Sequence, residues 1–288
     1  MADYLRILAI VGPTAVGKTA YGIRAALEQN GEVISADSRQ VYRGLDLGTG
    51  KVTYSEMQGV PHHLIDVCEP EVQFTVHDFV RLGRAAIDDI RARGKLPIVV
   101  GGTGLYVDAL LGRVPLNAPP VDPTLRERLS RYSDDELRAE LSVRNPILYA
   151  QTDRANRRRV QRALEIALSE TKPVPVEHPP YSVTWVGLTL PREALKERIL
   201  KRLDERLAVG MLDEARTLHA AGLSFERMEN LGLEYRFMAR HLMGQLSYED
   251  MRAQLGTEIF KYAKRQLTWF KRNGEIRWDV PPTGPGQV

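Results

Sequence analysis

The sequence predicts an α/β fold in which a parallel sheet is covered by helices and carries a helical insertion. Short apolar runs alternate with helix-length patterns up to about residue 115, which favours a parallel sheet. The first apolar run ends in a glycine-rich turn that opens a helix. Two proline-rich segments, at 114–123 and 172–181, enclose further helical patterns and predict the insertion.

The first part of the chain contains the predicted strand–helix units. Strands are expected at 5–11, 32–38, 62–67 and 96–102, and helices at 19–29, 75–94 and 103–112. The helix at 75–94 illustrates the evidence, because Phe79, Leu82, Ala86 and Ile90 share one face and Gly94 can end it.

The second part of the chain is mostly helical. Helices are expected at 124–141 and 153–169, a strand at 183–190, helical structure from 193 to 271, and a loose tail at 279–288. We therefore predict a core domain formed by 1–115 and 183–288, and an insertion domain formed by 116–182.

Composition limits the function classes. The chain has 288 residues, of which 43% are hydrophobic and 27% are charged, as in a globular protein. It lacks the unbroken apolar run of about 18 residues that a membrane-spanning helix needs, so no membrane partner is expected. Because Cys68 is the single cysteine and no signal peptide is recognisable, we expect a cytoplasmic protein without structural zinc.

The turn between the first strand and helix matches the phosphate-binding pattern G-x-x-x-x-G-K-[ST]. Its glycines allow successive N–H groups to point at one anion, the helix start adds partial positive charge, and the lysine adds a full charge. The hydroxyl of Thr19 is a candidate ligand for Mg²⁺. The residues expected to bind a diphosphate are Gly12, Thr14, Ala15, Val16, Gly17, Lys18 and Thr19.

This motif identifies a diphosphate-containing ligand but not the reaction. A nucleotide hydrolase normally has a second apolar strand that ends in an acidic residue for Mg²⁺. The strand at 96–102 ends in glycines, and Asp66 follows only a short apolar run. ATP hydrolysis is therefore disfavoured, whereas a diphosphate that departs as a leaving group needs only the phosphate loop and the metal.

Asp37 follows the second strand and is expected at the same edge of the sheet as the phosphate loop. Its carboxylate can bind Mg²⁺ through water, bind a ribose, or accept a proton from a nucleophile; the alternative is an acid in a surface turn. Ser38, Arg39 and Gln40 supply donors suited to a base or a phosphate. Thr103 follows the fourth strand and is expected to cap the helix that begins there. A second, more specific hypothesis is that its hydroxyl also contacts the ligand.

An arginine-rich stripe lies on the predicted helix at 153–169. Val160, Leu164, Ala167 and Leu168 share the apolar face, and the opposite side carries Arg154, Arg158, Gln161, Arg162 and Glu165. Arginine favours phosphate, so an RNA backbone is one partner; the alternative is a solvated face with ordinary charge pairing. Arg198, Arg202 and Arg206 recur at four-residue intervals on a later helix, and some of them are candidates for a diphosphate site.

Taken together, these segments resemble the bacterial tRNA dimethylallyltransferases. The similar stretches, in the order of that family, are GPTAVGKT, ISADSRQVYRGLDLGTGK, PHHLIDV, IVVGGTGLYVDALL, RRRVQRALEI and YAKRQLTWF. The resemblance runs from residue 12 to residue 270. It implies a nucleotide-kinase-like P-loop core with a helical insertion, dependence on Mg²⁺, and transfer of a dimethylallyl group from dimethylallyl diphosphate to N6 of an adenosine beside the anticodon.

The resemblance also implies roles for individual residues. Asp37 would accept the proton of the adenine amine, Thr103 would assist at that amine, and Lys18 would stabilise the leaving diphosphate. The residues that would contact tRNA are Asp37, Ser38, Arg39, Gln40, Thr103, Arg126, Arg158, Gln161, Arg162, Ala163, Leu164 and Glu165. The expected partners are thus tRNA and dimethylallyl diphosphate, with the protein acting as a monomer.

Three alternatives remain open from the sequence. An isopentenyltransferase acting on free adenine nucleotides would share the phosphate loop and Asp37 but would not need the arginine stripe. A small-molecule kinase would need ATP and a phosphoryl acceptor. A non-catalytic RNA-binding protein is disfavoured, because Asp37, Thr103 and the phosphate loop are all expected at one crevice.

Overall fold

The computed structural model describes residues 5–116, 118–119, 121–169 and 181–280. The strands in these residues are β1 Leu5–Val11, β2 Gly31–Ala36, β3 His62–His63, β4 Leu96–Gly101, β5 Tyr181–Leu188 and β6 Arg277–Asp279. The helices are α1 Lys18–Glu28, α2 Val76–Ala92, α3 Gly104–Leu110, α4 Pro123–Ser130, α5 Asp134–Arg144, α6 Pro146–Gln151, α7 Arg157–Leu168, α8 Arg192–Ala208, α9 Met211–Ala220, α10 Phe225–Asn230, α11 Leu233–Leu242 and α12 Tyr248–Phe270.

In the described residues the strands form one sheet in the order β3-β2-β4-β1-β5-β6, and each neighbouring pair is parallel. The predicted α/β fold with a parallel sheet is confirmed. Because β1, β2 and β4 are neighbours that run in one direction, the turns that follow them lie at the same edge of the sheet. That edge is where ligands bind in open α/β sheets.

Both faces of the central strands are buried, which explains their unbroken apolar sequences. Leu8 and Ile10 of β1 pack with Ile23 and Ala26 of α1 on one face. The alternate side chains of β1 on the other face are fully buried as well. Burial on both faces fixes the register of β1, and with it the start of the turn that follows.

The chain divides into two compact units, one formed by 1–114 and 179–288, the other by 115–178. In the first unit, a second core joins the segment around Val41 and Leu45 to helices α8, α9, α11 and α12. In the second unit, Leu129, Leu137, Leu141, Val160 and Leu164 form a separate apolar core. No helix among the described residues is long and apolar enough to cross a bilayer.

Several predicted elements differ from the structure for local reasons. The helix expected at 124–141 is divided into α4 and α5, because Ser133 accepts a hydrogen bond from the backbone N–H of Glu136 and starts a new helix. The strand expected at 62–67 is only two residues long, since Leu64 and Asp66 adopt positive φ angles of 63° and 56°. The short helix α6 and the strand β6 were not predicted, and the expected tail beyond 280 lies outside the described residues.

Candidate active site

The turn after β1 has the geometry that the phosphate-binding motif predicts. Gly12 and Gly17 have φ angles of 148° and 99°, and Ala15 between them has a φ of 61°. A Cβ on Gly12 would lie 2.5 Å from the carbonyl oxygen of Leu188, so this position tolerates only glycine. Helix α1 starts immediately at Lys18, which places a helix N-terminus beside the turn. We call residues 12–19 the phosphate loop.

Lys18 lies against its own loop. Its Nζ donates a hydrogen bond of 2.6 Å to the carbonyl oxygen of Pro13. Burial lowers the pKa of Lys18 to about 8, the charge of Arg202 acts in the same direction, and the carboxylate of Asp37 acts in the opposite direction. The charges of Asp37 and Arg202 therefore both act on Lys18, and a pKa perturbed in this way is typical of a functional site.

Asp37 lies in the turn after β2, and its charge reaches the phosphate loop through its effect on Lys18. Its Oδ1 accepts a hydrogen bond of 2.8 Å from the backbone N–H of Arg39, which holds the carboxylate in a fixed orientation. The side chain of Asp37 is partly buried. Asp37 is thus held in the turn after β2, with its charge acting on the phosphate loop.

Thr103 is the last residue of the turn between β4 and α3. Its backbone N–H donates to the carbonyl oxygen of Ala36, and its Oγ1 accepts a hydrogen bond of 3.1 Å from the backbone N–H of Ser38. Thr103 occupies the predicted N-cap position of α3, but its side chain makes no capping hydrogen bond, because the hydroxyl points to the turn after β2. The side chain of Tyr262 also lies near Thr103.

The side chains that follow Asp37 are largely engaged within the protein. Gln40 accepts a hydrogen bond from Ser35 and donates one of 3.2 Å to the carbonyl oxygen of Gly50. Arg39 donates to the carbonyl oxygen of Asn230 over 3.2 Å. Through its hydrogen bond to Gly50, Gln40 stabilises the loop at 46–50, a role that the sequence did not indicate.

Two predicted arginine candidates of α8 hold the same loop. Arg202 donates to the carbonyl oxygen of Gly50 at 3.1 Å, and Arg206 donates to those of Leu47 and Gly48 at 3.1 and 3.2 Å. Burial lowers the pKa of Arg202, and the neighbouring charge of Arg206 lowers it further. This concentration of positive charge beside Lys18 suits a diphosphate.

Sequence reasoning missed Gln266, which is only 6% exposed. Its Oε1 accepts a hydrogen bond of 2.8 Å from the backbone N–H of Thr14, and its Nε2 donates one of 2.9 Å to the carbonyl oxygen of Gly102. Gln266 thus joins the phosphate loop to the turn that carries Thr103. The only signal in the sequence was its place within YAKRQLTWF, a segment that carried the family resemblance but no assigned role.

The donor groups fit a metal that is held mainly by a substrate. No cluster of three or more His, Cys, Asp or Glu side chains able to bind a metal occurs in the part of the chain that the structure describes. Thr19 is exposed on the first turn of α1, beside the phosphate loop. Mg²⁺ keeps several waters and binds one or two protein groups together with substrate phosphates, so the hydroxyl of Thr19 fits such a site.

In the second unit, taken by itself, the predicted arginine stripe is extensively paired. Glu165 is 2% exposed and accepts hydrogen bonds from Arg126, at 2.7 and 2.9 Å, and from Arg162, at 3.0 Å. Arg157 pairs with Asp134 of α5. Acidic groups from neighbouring helices therefore also face these arginines.

Three predicted RNA contacts on α7 are corrected by burial. Ala163 and Leu164 are 5% and 0% exposed and pack into the apolar core of the unit, and Glu165 is enclosed by its two arginines. None of these three side chains faces solvent, so they contribute to the packing of α7 within the unit. Arg126, Arg162 and Gln161 are partly exposed, and Gln161 donates to the carbonyl oxygen of Arg126 at 3.1 Å.

The sequence matches two described protein families. Residues 40–273 match the IPP transferase family, and residues 5–70 match the isopentenyl transferase family. The tRNA dimethylallyltransferase 2 of Citrifermentans bemidjiense is 46% identical over 276 residues, which cover 94% of this chain and 90% of that protein.

Solved structures agree with the sequence matches. The full-length tRNA isopentenylpyrophosphate transferase of Bacillus halodurans is 40% identical, with a TM-score of 0.73 over 96% of this chain and 90% of that one. A eukaryotic dimethylallyltransferase acting on tRNA is 27% identical, with a TM-score of 0.76 over 95% of this chain and 73% of that one. Because the family match spans most of the chain and a relative 46% identical covers 94% of it, the protein belongs to the IPP transferase family and is a prenyltransferase.

Proposed function

We propose that the protein is a tRNA dimethylallyltransferase, which transfers a dimethylallyl group from dimethylallyl diphosphate to N6 of the adenosine beside the anticodon and releases diphosphate. The observation that carries the proposal is the arrangement of three turns at one edge of the sheet. The phosphate loop follows β1, Asp37 follows β2 and Thr103 follows β4. A hydrogen bond joins the turns after β2 and β4, and the side chain of Gln266 links the phosphate loop to the turn after β4. The names of the relatives support tRNA as the acceptor.

On the donor side, the phosphate loop binds the diphosphate of the prenyl substrate. As the allylic C–O bond breaks, negative charge grows on the departing oxygen. Lys18, the N–H groups at the start of α1 and the charge of Arg202 stabilise that oxygen in a preorganised site. The phosphate loop therefore serves a leaving group, and no attacking water has to be positioned at the phosphates.

On the acceptor side, the adenine amine uses its lone pair to form the new C–N bond. The amine becomes more acidic as this bond forms, and Asp37 accepts one of its protons. Thr103 lies close to Asp37, because its Oγ1 accepts a hydrogen bond from the backbone N–H of the next residue, Ser38. In this proposal the Thr103 hydroxyl contacts the same amine. The products are N6-dimethylallyladenosine in the tRNA, free diphosphate and a proton on Asp37 that passes to solvent.

We further propose that Mg²⁺ is the cofactor and that the hydroxyl of Thr19 is its protein ligand. The ion would supply charge neutralisation on the diphosphate oxygens. Lys18 and Arg202 supply the positive charge of the chain itself. They orient the diphosphate so that the allylic carbon faces Asp37.

The insertion at 116–182 is proposed to bind the tRNA, through Arg126, Arg158, Gln161 and Arg162. The target adenosine has to leave its stack to reach Asp37, and unstacking costs a few kcal/mol, which backbone contacts offset. We propose that the enzyme acts in the cytoplasm, because tRNA is found there and a reducing environment keeps the thiol of Cys68 reduced. We also propose that it acts as a monomer.

The test combines the protein with labelled dimethylallyl diphosphate, Mg²⁺ and one of two acceptors, tRNA or AMP. Label in tRNA alone supports the proposal. Label in AMP alone identifies an adenylate isopentenyltransferase. Consumption of ATP without prenyl transfer, in a parallel reaction to which ATP is added, identifies a kinase. Either of these results contradicts the proposal.

A further inference from the structure

Gln266 is a buried polar side chain of α12 to which the proposed mechanism gives no task. Both ends of its amide are engaged, the oxygen by the N–H of Thr14 at 2.8 Å and the nitrogen by the carbonyl oxygen of Gly102 at 2.9 Å. Thr14 belongs to the phosphate loop, and Gly102 precedes Thr103. One amide therefore joins the donor side of the site to its acceptor side.

The pairing of Gln266 with Gly102 is sterically specific. A Cβ at position 102 would lie 2.3 Å from Nε2 of Gln266, so any larger residue there would displace the amide. Only an amide offers a donor and an acceptor on one planar group of this length. A carboxylate would place an oxygen against the carbonyl oxygen of Gly102, and a methionine would satisfy neither partner.

The surroundings of Gln266 hold it in place. Tyr262, one helical turn earlier, lies near Thr103. Trp269, three residues later, donates from Nε1 to Asp108 of α3 at 2.7 Å. A Cβ on Gly104 would lie 2.2 Å from the ring of Trp269, so the helix and the β4–α3 turn are in close contact. The face of α12 formed by Tyr262, Gln266 and Trp269 is thus docked on the turn that carries Thr103.

We infer that Gln266 is a positioning residue that sets the distance between the phosphate loop and the β4–α3 turn. The inference rests on the proposed function, because the two turns hold the two substrates of that reaction. Gln266 need not touch either substrate. Its effect is to hold the allylic carbon and the amine at the separation that in-line attack requires, a geometry in which small displacements are costly.

The experiment compares two substitutions on the same helix. Gln266→Met keeps the length of the side chain and removes both hydrogen bonds, whereas Gln254→Met changes an exposed glutamine of α12. We expect Gln266→Met to raise the KM for dimethylallyl diphosphate and to lower kcat, each by about tenfold or more, while the Kd for tRNA stays within about twofold of the wild type. Gln254→Met should match the wild type in all three.

The KM distinguishes positioning from a structural role. A residue that only stabilises the fold would lower the melting temperature and the fraction of active enzyme, and would leave the KM of the remaining active molecules unchanged. If active-site titration shows such an unchanged KM and an unchanged kcat per active molecule, the inference is overturned. Absence of transfer by the wild-type protein would instead contradict the proposed function itself.

A measurement on the wild-type protein tests the inference without any substitution. Hydrogen exchange of the Thr14 amide, followed by NMR in the ligand-free enzyme, should be slow, because Gln266 already engages that N–H. Exchange as fast as in an unstructured peptide would show that the contact does not persist in solution. That outcome would overturn the inference even if Gln266→Met failed to fold.

Discussion

The Oγ1 of Thr103 accepts a hydrogen bond from the backbone N–H of Ser38 over 3.1 Å, so the turns after β4 and β2 are joined through a side chain. This contact uses an acceptor site of the hydroxyl and leaves its proton for another partner. Thr103 can therefore act as a donor toward the reacting groups. The capping bond that its position in the sequence suggests would have turned the hydroxyl toward α3 instead.

Thr103→Val should reduce transfer while preserving the fold, because valine has the same shape but no hydroxyl. We expect kcat to fall by about tenfold, the effect of one lost hydrogen bond in the transition state. Single-turnover transfer to tRNA measures the change. Thr103→Ser keeps the hydroxyl and is the matched control, so equal losses in both variants would exclude a role for the hydroxyl.

Asp37→Asn should slow transfer by at least about a hundredfold and leave tRNA affinity nearly intact, because asparagine cannot act as a general base. Its amide oxygen still accepts the N–H of Arg39, so the turn keeps its shape. Rapid-quench kinetics and a filter-binding assay measure the two quantities.

Asp66→Asn is the control for this substitution. Asp66 was the second acidic candidate in the sequence, and the structure pairs it with Lys51 at 2.5 Å. Its substitution should leave the rate within about twofold, since the neutralised group lies outside the proposed chemistry. Equal rates for Asp37→Asn and the wild type would remove Asp37 from the mechanism.

Binding of dimethylallyl diphosphate should weaken as the pH rises through about 8. Burial lowers the pKa of Lys18 to about 8, so the ammonium is charged below this pH and neutral above it in the ligand-free enzyme. The KM for the diphosphate substrate should therefore be nearly constant between about pH 6 and about pH 7, which lie roughly one to two units below the pKa, and rise at higher pH. In Lys18→Arg the charge persists, and this rise should disappear even if turnover is reduced.

Replacing Arg158 and Arg162 with alanine should weaken tRNA binding and make it less sensitive to salt. Each lost phosphate contact lowers the slope of log K against log salt by about 0.7 to 0.9, so the pair should lower it by about 1.5. Arg131→Ala combined with Arg144→Ala removes the same charge from the same unit, at exposed sites that pair with Glu127 and Glu140. If both pairs of substitutions change the slope equally, the effect is one of net charge and not of a defined RNA contact.

Acid should destabilise the fold through Glu32, which is 2% exposed at the start of β2. Burial alone would raise its pKa, but hydrogen bonds from Arg93, His63 and Lys95 lower it from 4.5 to about 2. The depressed pKa gives a stabilisation that is present above pH 4.5 and is lost as the pH falls toward 2.

Urea unfolding at several pH values checks this expectation. Between about pH 5 and about pH 2.5, the wild type should lose more stability than Glu32→Gln, because the amide does not titrate. These two pH values roughly bracket the range over which the carboxylate becomes protonated. Equal losses in the two proteins would assign the acid sensitivity to other carboxylates.

The sequence predicted five of the six strands in the described residues, the phosphate loop and the edge of the sheet at which Asp37 and Thr103 lie. These features depend on short stretches of chain, because apolar runs and glycine turns act locally. It did not predict the contact of Gln266 with Thr14, which joins residues 252 positions apart. No periodicity in α12 distinguishes a glutamine that faces solvent from one that is buried between two turns.

The orientation of Glu165 shows the same limit. A helical projection places it on the polar side of α7 with the arginines, yet it is buried, because Arg126 from α4 covers it. Helical spacing assigns a side chain to a face but does not reveal which neighbouring helix packs on that face. For the same reason the pairing of Arg157 with Asp134 was not foreseen.

The glycine that ends β4 has a consequence for protein engineering. A Cβ at Gly101 would lie 2.2 Å from the carbonyl oxygen of Ala36. An aspartate therefore cannot be introduced at the end of this strand, where a nucleotide hydrolase carries its acidic residue for Mg²⁺. Redirecting this scaffold toward ATP turnover would first require the separation of two adjacent strands.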